Sequence, residues 1–404
     1  MTAQADKFSS ASAKPVPLAR AGAFPFTVET HAELSSIEAL WRRFESNGIS
    51  TIFQRYDWVD AYVRHVLPHE KARPAIVLGR LDGRPAFVLP FAVAKTGPVR
   101  VASWIGGKHS SYNFGLWSPE AATTMARLPV DTIRKMLGDA LGADCAVLAR
   151  TPKAHQGVPQ PLAGLPSSPS PTEGYSFALD GGFEAVLKRT DGAGRRRRVR
   201  TKERRMAEIG PMHYGKAQDL TQALAALDFF FEQKALRLTE QGKPNSFSEP
   251  GVKDFYRDLL AQSQAMDEPL LEMTHLCVDG RLRAVRGAGI HQGRLNGYFM
   301  TFARDDVVTH SPGHVLLFRH IEECCERGLN AYDLGVGYEE YKTHWCDVIH
   351  ELDDVYAAFT PLGSAMIAAI QAGNAVKAHI RRHKALWQRL KLVQAYLSRH
   401  GASE

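Results

Sequence analysis

Apolar residues recur along this chain at helical and strand spacings, and its two halves show the same order of predicted elements. In the first half we predict helices at 32–47, 56–66 and 130–141, and strands at 27–30, 75–79, 86–94, 99–105, 112–117 and 145–149. In the second half we predict helices at 183–209, 220–237, 252–265 and from Pro312, and strands at 175–179, 212–215, 270–278, 282–291, 295–302, 331–334 and 352–359. The pattern indicates an α/β protein of the α+β kind, with a mixed, mostly antiparallel sheet flanked by helices in each half.

Turn signals divide and repeat this pattern. Asp82-Gly83 and Asp279-Gly280 each stand between two apolar runs, which is a strong hairpin signal. Residues 151–175 contain six prolines among Ser and Gly, so we expect a linker between the halves. The predicted domains are therefore 25–150 and 176–360.

Comparison of the halves indicates which one carries the chemistry. A glycine ends the helix before the buried strand in both, at Gly142 and at Gly328. Aligning these glycines places Val147 opposite Asp333, and the first half has no counterpart of the sequence HSPG that begins at His310. We therefore expect the first half to be a degenerate copy used for packing or substrate binding.

Charge changes the picture at two segments. The chain has 404 residues, 44% of them apolar and 23% charged, and a net charge of +7. Residues 195–205 carry eight bases and one acid, and residues 375–400 carry seven bases and no acid, so the remainder has a net charge of −7. Such confinement suggests local contacts with anions rather than a protein that coats nucleic acid.

The ends of the chain and its cysteines indicate the setting. Residues 1–24 are predicted to be a disordered tail, and 361–404 a basic amphipathic helical extension. The apolar stripe of that extension could lie on an anionic membrane face or pack against the second domain. No apolar run is as long as a membrane span, no signal region is evident, and the five scattered cysteines suggest neither disulfides nor a metal site. We expect a cytoplasmic protein, with the inner membrane face as an alternative location.

The stretch from His310 to Cys346 has the features of a binding site. Ser311 is a good N-cap, Pro312 suits the first helical position, and Gly313 allows close approach of a ligand. A helix that begins behind a glycine-containing loop can bind an anion, because its first N–H groups point outward.

The sequence also resembles a known family. Its element order resembles the GNAT superfamily of N-acetyltransferases, so two tandem GNAT-like domains are expected. More narrowly, LDGGFEAVL at 179–187 before the Arg-rich helix, SPGHVLL at 311–317 and YDLGVGYEEYKTHWCD at 332–347 resemble the CelD type, linked to cellulose and exopolysaccharide biosynthesis. That type is in turn similar to the Fem-type peptidoglycan aminoacyltransferases.

The resemblance implies a co-substrate and its place. An acyl-CoA, with acetyl-CoA the first candidate, would lay its pyrophosphate against the backbone of Ser311, Pro312, Gly313, His314, Val315 and Leu316. Its thioester would lie between the strands that end near Phe302 and Leu334. No metal is expected.

Acyl transfer to an amine needs a base for the ammonium proton and a proton donor for the departing thiolate. Asp333 is our candidate for the base or a substrate anchor, and Tyr341 for the thiolate side. Asp333 could instead cap the turn at Gly335, and Tyr341 and Trp345 could be core aromatics. His310, Glu339, Lys342, Trp345 and Arg198 are expected to bind or position the substrate.

Together these features predict an acyl-CoA-dependent acyltransferase that acts on an amine or hydroxyl of a sugar or polysaccharide precursor. Two alternatives remain: Fem-like aminoacyl transfer from charged tRNA, and a nonenzymatic partner of a polysaccharide synthase. The run at 195–205 could be a solvated basic helix, or could contact the coenzyme 3′-phosphate, an acidic glycan or tRNA. Nucleic acid is expected as a partner only under the tRNA alternative.

Overall fold

The computed structural model describes residues 24–382, with side chains described through residue 376. Nearly all of the predicted tail, and the predicted extension beyond residue 382, lie outside the described residues. Among the described helices, none is long and apolar enough to cross a membrane.

The described elements follow the predicted order closely. The first half comprises β1 (Phe26–His31), α1 (Glu38–Glu45), α2 (Tyr56–His65), β2 (Ala72–Leu81), β3 (Arg84–Thr96), β4 (Val99–Trp104), β5 (Leu116–Trp117), α3 (Pro119–Met125), α4 (Val130–Leu141) and β6 (Cys145–Pro152). The connection holds β7 (Ala154–His155), β8 (Val158–Pro159), β9 (Ser167–Pro169) and β10 (Gly174–Ala178). The second half comprises α5 (Gly182–Lys188), α6 (Gly192–Ala207), β11 (Met212–Lys216), α7 (Leu220–Glu240), α8 (Val252–Ser263), β12 (Glu272–Val278), β13 (Arg281–His291), β14 (Arg294–Phe302), α9 (Pro312–Glu326), β15 (Ala331–Val336), α10 (Glu340–Thr343), β16 (Val348–His350), β17 (Leu352–Ala358) and α11 (Pro361–Arg382).

The internal repeat is visible in the two main sheets. Each contains three consecutive antiparallel strands, then a helix, then a strand that pairs in parallel with the third: β4 with β6, and β14 with β15. Both DG turns close their hairpins with two residues at positive φ, 49° and 75° at Asp82-Gly83 and 54° and 69° at Asp279-Gly280. These angles are the ones that a two-residue hairpin turn with the twist of its strands requires.

The two halves are interlocked, because the last strand of the second half joins the sheet of the first half. We call this arrangement strand exchange, and the predicted domain boundaries do not allow for it. β17 of the second half pairs with β6 in the first sheet, whereas β10, the last strand of the connection, pairs with β15 in the second. The prediction of one continuous domain at 176–360 therefore needs correction, because its last strand belongs to the other sheet. The predicted linker at 151–175 likewise contains short strands, among them β9, which pairs with β17.

One predicted strand is largely absent. Of residues 112–117, only Leu116–Trp117 pair as a strand, with β3. Gly115 has a φ of 86°, and the Asn113 backbone amide donates to the carbonyl of Arg150, so this segment is a loop. It also contacts the second half, because the Tyr112 hydroxyl donates to Asp333. Helix α3, which follows it, was not predicted.

Three apolar clusters hold the sheets and helices together. The central cluster joins both halves, since it includes Trp58 of α2, Phe230 of α7 and Phe255 of α8. A second cluster lies between the first sheet and helices α3 and α4. A third lies between the second sheet and helices α5, α6 and α9. The described part of α11 packs on the first sheet, where Ile367 meets Tyr356 of β17.

Candidate functional site

Strands β14 and β15 part at the centre of the second sheet. They pair from Arg294 and Ala331 to Asn296 and Asp333, and no pairing between them continues beyond that point. A bulge at Tyr298 marks the position, because Gly287 pairs with Phe299 whereas Ala288 pairs with Gly297. Bulges of this kind bend a strand and re-aim its side chains. Here the bend leaves the β14 edge that faces β15 open.

A cavity of about 480 Å³ lies at this opening and is lined by both halves of the chain. Its walls come from the open parts of β14 and β15, the start of α9, helices α7, α8 and α10, and loops of the first half. The lining residues are Lys108, His109, Ser111, Arg150, Lys234, Arg237, Ser246, Phe247, Tyr256, Arg286, Gly297, Tyr298, Phe299, Met300, Phe302, Val308, Ser311, Gly313, His314, Leu334, Gly335, Val336, Glu339, Tyr341 and Lys342. We call it the transfer cavity.

The transfer cavity is strongly positive. Its lining includes six cationic side chains, Lys108, Arg150, Lys234, Arg237, Arg286 and Lys342, against one carboxylate, Glu339. Among the described residues, no carboxylate forms an ion pair with Lys234, Arg237 or Arg286, whereas Lys108 is paired with Glu249. A cleft lined by charges of one sign favours ligands of the opposite sign. The cavity is therefore suited to an anionic ligand.

Lys342 stabilises the end of β15. Its side chain is buried, and its Nζ donates to the carbonyl oxygens of Gly335 at 3.2 Å and Val336 at 3.1 Å. Burial lowers the pKa of Lys342, and the nearby charge of Arg286 lowers it further. The predicted positioning residue thus holds the backbone on one side of the opening.

Asp333 is enclosed and fully engaged. The carboxylate is 1% exposed and accepts hydrogen bonds from Tyr112 Oη at 3.0 Å, Arg294 Nη2 at 2.8 Å and the Gly335 amide at 2.6 Å. It does not line the transfer cavity. Asp333 therefore caps the turn at Gly335, as the alternative interpretation held, and in addition links β15 to the first half through Tyr112. Its catalytic role stays a prediction that this geometry does not favour.

Tyr341 faces two cavities. The second, about 660 Å³, lies between α6, α9 and α10 and shares His314 and Tyr341 with the transfer cavity. Burial raises the pKa of Tyr341 to about 12, so the phenol is protonated at neutral pH and can donate a proton. Burial also lowers the pKa of His314, which keeps that imidazole neutral at neutral pH.

The second cavity is lined by basic residues from α6 and from the end of α5. Arg189, Arg195, Arg198 and Lys202 line it. The Arg195 guanidinium lies 3.8 Å from the ring centroid of Trp345, and its Nε is buried without a hydrogen-bond partner among the described residues. Trp345 is itself buried and stacks on Phe177, so the alternative interpretation of Trp345 as a core aromatic also holds. We call this space the basic cavity.

The start of α9 differs from the prediction in its cap. Pro312 is the first helical residue, as predicted, but Ser311 is left-handed, with φ 53°, and makes no side-chain cap. The amides of His314 and Val315 bond to the carbonyl of Ser311, at 3.0 and 3.4 Å. Within the described residues, the Gly313 amide is the one backbone donor of this turn that has no acceptor. Of the backbone N–H groups at 311–316 that were predicted to bind the pyrophosphate, that of Gly313 is therefore the one that lacks an acceptor among the described residues.

The remaining predicted residues fall in different places. Ser311, Gly313 and His314 line the transfer cavity, and Glu339 lies at its exposed side. Val315 and Leu316 are core residues of the third apolar cluster. Arg198 lines the basic cavity and pairs with Asp191 at 2.9 Å, whereas His310 lines neither cavity.

Sequence reasoning named Lys342 but missed the other five cationic residues of the transfer cavity, and it also missed His109. Arg286 lies in the middle of a strand, and His109 and Arg150 belong to the half that was expected to be degenerate. His109 is buried, and burial lowers its pKa to about 4. One signal was present in the sequence: Arg283 and Arg286 both interrupt the apolar strand 282–291, where a charged side chain is rarely buried unless it is paired.

Residues 193–343 match the family model described as the acetyltransferase (GNAT) domain. The match runs from α6 to α10, so it contains the opened strands, the start of α9 and most of both cavities. This segment of the second half is therefore similar to a GNAT domain. No curated protein matches the chain.

Solved structures are similar in fold over more of the chain than this segment. The structure of FemX is similar with a TM-score of 0.52 at 10% identity, over 80% of this chain and 96% of FemX. A conserved protein of unknown function from Bacteroides thetaiotaomicron VPI-5482 gives a TM-score of 0.49 at 11% identity, over 82% and 99% of the chains. A tandem GNAT protein from the clavulanic acid biosynthesis pathway gives 0.45 at 12% identity, over 83% and 99%. The GNAT match and the repeated sheet confirm the predicted fold of two tandem GNAT-like domains.

Proposed function

We propose that this chain is an acyltransferase that carries an acyl group from acyl-CoA, with acetyl-CoA the first candidate, to an amine or hydroxyl of a sugar or polysaccharide precursor. The observation that carries the proposal is the match of residues 193–343 to the GNAT domain, over the stretch in which β14 and β15 open into the transfer cavity. The acceptor class rests on the resemblance of 179–187, 311–317 and 332–347 to the CelD type.

The basic cavity supports a phosphate-bearing donor. Its four cations are Arg189, Arg195, Arg198 and Lys202, and the cavity also borders His314 and Leu317 in the first turns of α9. The open Gly313 amide lines the adjoining transfer cavity. Arginine and lysine near a helix N-terminus are the groups that bind phosphates in proteins. A donor with its phosphates there would reach the transfer cavity past His314 and Tyr341, the two residues that the cavities share.

The proposed transfer needs two proton movements. The acceptor amine loses a proton, its nitrogen bonds to the thioester carbon, the carbon–sulfur bond breaks, and the thiolate takes up a proton. Tyr341 is proposed to supply the thiolate proton, since its phenol is protonated at neutral pH. Glu339 is proposed to accept the amine proton, because it is the carboxylate that lines the cavity, whereas Asp333 is enclosed.

A second candidate function is aminoacyl transfer from charged tRNA. The similarity to FemX, over 80% of the chain, favours it, as does the exposed basic face of α6. Arg197, Arg200 and Arg204 are exposed on that face and line neither the transfer cavity nor the basic cavity. Such a stripe is the electrostatic footprint expected for a nucleic-acid backbone.

Direct binding separates the two candidates. We expect acetyl-CoA at about 30 times its dissociation constant to stabilise the folded protein by about 2 kcal/mol, as measured by its unfolding equilibrium. The double variant Arg200→Glu and Arg204→Glu should bind acetyl-CoA as the wild type does, because both residues lie outside the two cavities. Absence of acetyl-CoA binding, together with salt-dependent tRNA binding that the double variant loses, would replace the first candidate with the second.

The proposed location follows from the acceptor class. We place the protein in the cytoplasm, where acyl-CoA is available, with a contact of the basic C-terminal extension to the inner membrane face as a further proposal. The apolar stripe of that extension begins at Ile380, outside the described side chains. Sedimentation with vesicles that contain anionic lipid, compared for the full chain and a chain ending at residue 376, tests that contact.

A further inference from the structure

We propose that Arg286 anchors a carboxylate or phosphate carried by one of the two reactants, so that the transfer cavity selects an anionic acyl acceptor or an anionic acyl group. The inference rests on the proposed function, because it names the class of reactant that the same cavity takes. The anionic reactant would be one of two molecules. It is either an acceptor that carries an acidic group as well as its amine or hydroxyl, or a donor whose acyl chain ends in a carboxylate.

Arg286 is a buried charge without a protein counter-charge. The side chain is 2% exposed, and its Nε and Nη2 are buried with no hydrogen-bond partner among the described residues. The guanidinium carbon lies 5.0 Å from the ring centroid of Tyr332. An aromatic ring attracts a cation but does not supply acceptors for its N–H groups. A buried guanidinium left in this state is costly unless a ligand supplies them.

The strand geometry makes room for this guanidinium. A Cβ at Gly297 would lie 2.3 Å from Arg286 Nη2 and 2.9 Å from the Asp333 carbonyl oxygen. Gly297 is also the residue just before the bulge, at the point where β14 and β15 part. The lack of a side chain at this position therefore lets Arg286 reach the wall of the transfer cavity beside the opening.

Arg283 shows what a structural arginine looks like on the same strand. It lies three residues earlier and is also 2% exposed. Its guanidinium is paired with Asp306 at 2.7 Å and with Asp305. Arg286 has the same burial without such partners. The difference points to a ligand rather than to the fold as the source of the missing anion.

The neighbouring charges favour an anion in the same place. Lys342 lines the same cavity as Arg286. Lys234 and Arg237 of α7 line the same cavity without ion-pair partners among the described residues. Glu339 lines the cavity but forms no ion pair with Arg286. A bound carboxylate or phosphate would meet several cations at once.

Unfolding of the ligand-free protein gives the first test. We expect Arg286→Met to unfold at the same temperature as the wild type or higher, because it removes an unpaired buried charge. Arg283→Met, the matched variant, should lower the unfolding temperature, because it leaves Asp305 and Asp306 without their partner. If Arg286→Met lowers the unfolding temperature as much as Arg283→Met, the arginine has a structural role and the proposal is wrong.

Binding of paired probes gives the second test and distinguishes the two sources of the anion. Glucosamine 6-phosphate is compared with glucosamine, and succinyl-CoA with acetyl-CoA, by calorimetry in the wild type, in Arg286→Met and in the exposed-strand control Arg281→Met. We expect one anionic probe to bind at least about tenfold more tightly than its neutral counterpart, and only Arg286→Met to abolish the difference. The first pair identifies an anionic acceptor, and the second an anionic acyl group.

The outcomes are separable from the proposed function. If neither pair shows a preference, or if Arg286→Met weakens CoA itself and all four probes equally, the inference is overturned. Equal rates of acyl transfer with the anionic and the neutral member of each pair, in the wild type and in Arg286→Met alike, would overturn it as well, while leaving the acyltransferase intact. Arg286-dependent binding of glucosamine 6-phosphate without any transfer from acyl-CoA would leave the anion site standing and reject the proposed reaction.

Discussion

At the scale of single residues, Tyr341 is the proposed proton donor. We expect Tyr341→Phe to lower kcat by about 100-fold with little change in KM, because proton transfer in the transition state is lost while binding surface is kept. Burial raises the pKa of Tyr341 to about 12, so the loss should be uniform from pH 6 to 9. Tyr338→Phe is the control, since Tyr338 is 72% exposed and lines neither cavity. Equal activity of the two variants would remove Tyr341 from the mechanism.

Asp333 is expected to act through structure. Asp333→Asn leaves the buried end of Arg294 without its counter-charge, which should reduce the free energy of unfolding by about 3 kcal/mol. Activity per folded molecule should change much less. Chemical denaturation and kcat measured on the same samples check this. A variant of wild-type stability whose kcat has fallen by 1,000-fold would restore Asp333 as the base.

The residues of the site were predictable from the sequence only where they lie close together in the chain. Gly313, His314, Glu339, Tyr341 and Lys342 follow from the sequence around α9 and α10, and all of them line the transfer cavity. Arg286 and His109 could not be predicted in that way. They meet the other site residues only across strands or between the halves, and the spacing of residues along the chain does not show such contacts. The prediction that Ser311 caps α9 was wrong, because its backbone is left-handed and its side chain makes no capping hydrogen bond.

At the scale of elements, strand exchange predicts that a destabilising substitution in β17 loosens the first sheet, although β17 belongs to the second half of the sequence. Val355 of β17 is 2% exposed, pairs with Leu148 of β6 and belongs to the second apolar cluster. Val355→Ala should cost about 2 kcal/mol of unfolding free energy and speed amide hydrogen exchange in β6. The control is Val348→Ala in β16, where the side chain is 43% exposed. Faster exchange confined to the second sheet would contradict the observed topology.

Strand exchange also shows what hydrophobic patterns leave undetermined. The sequence of residues 352–359 and 175–179 correctly predicted two strands, and their boundaries are within two residues of β17 and β10. A pattern of inward and outward side chains does not name the partner strand, because β6 and β15 offer equivalent edges. Proximity in the chain therefore suggested two separate domains where the structure has two interlocked ones.

At the scale of the whole molecule, buried histidines should make folding sensitive to acid. Burial lowers the pKa of His109 to about 4 and of His291 to about 3, and it also lowers the pKa of His320. The unfolded chain protonates these rings below about pH 6.5 and the folded protein does not, so stability is lost as the pH falls through that value. His291→Gln should reduce this pH dependence between pH 6.5 and 5.5 by up to about 1.4 kcal/mol per pH unit.

The control for this prediction is His69→Gln, because His69 is exposed. It should leave the pH dependence of the unfolding free energy as it is in the wild type. A wild-type stability that stays constant from pH 6.5 to 5.5 would show that the imidazoles are accessible to protons in the folded state.

The overall fold was the most predictable feature. Helical and alternating apolar spacings gave the order of elements, the DG turns fixed two hairpins, and the family resemblance supplied the tandem arrangement. The positive transfer cavity was not predictable, because it exists only once the loop at 108–111 and Arg150 of β6 meet β14, α7 and α9. The sequence outside the two basic segments has a net charge of −7, which suggested that a cavity there would be negative.

Hydrogen exchange with and without acetyl-CoA tests the central claim, that the opening between β14 and β15 is the acyl-transfer site, most directly. We expect the donor to slow exchange in three segments, 297–302, 311–316 and 334–342, and to leave β2 and β3 of the first sheet unchanged, because those strands line neither cavity. Saturating acetyl-CoA that protects none of these segments, or protects only the exposed face of α6, would contradict the account.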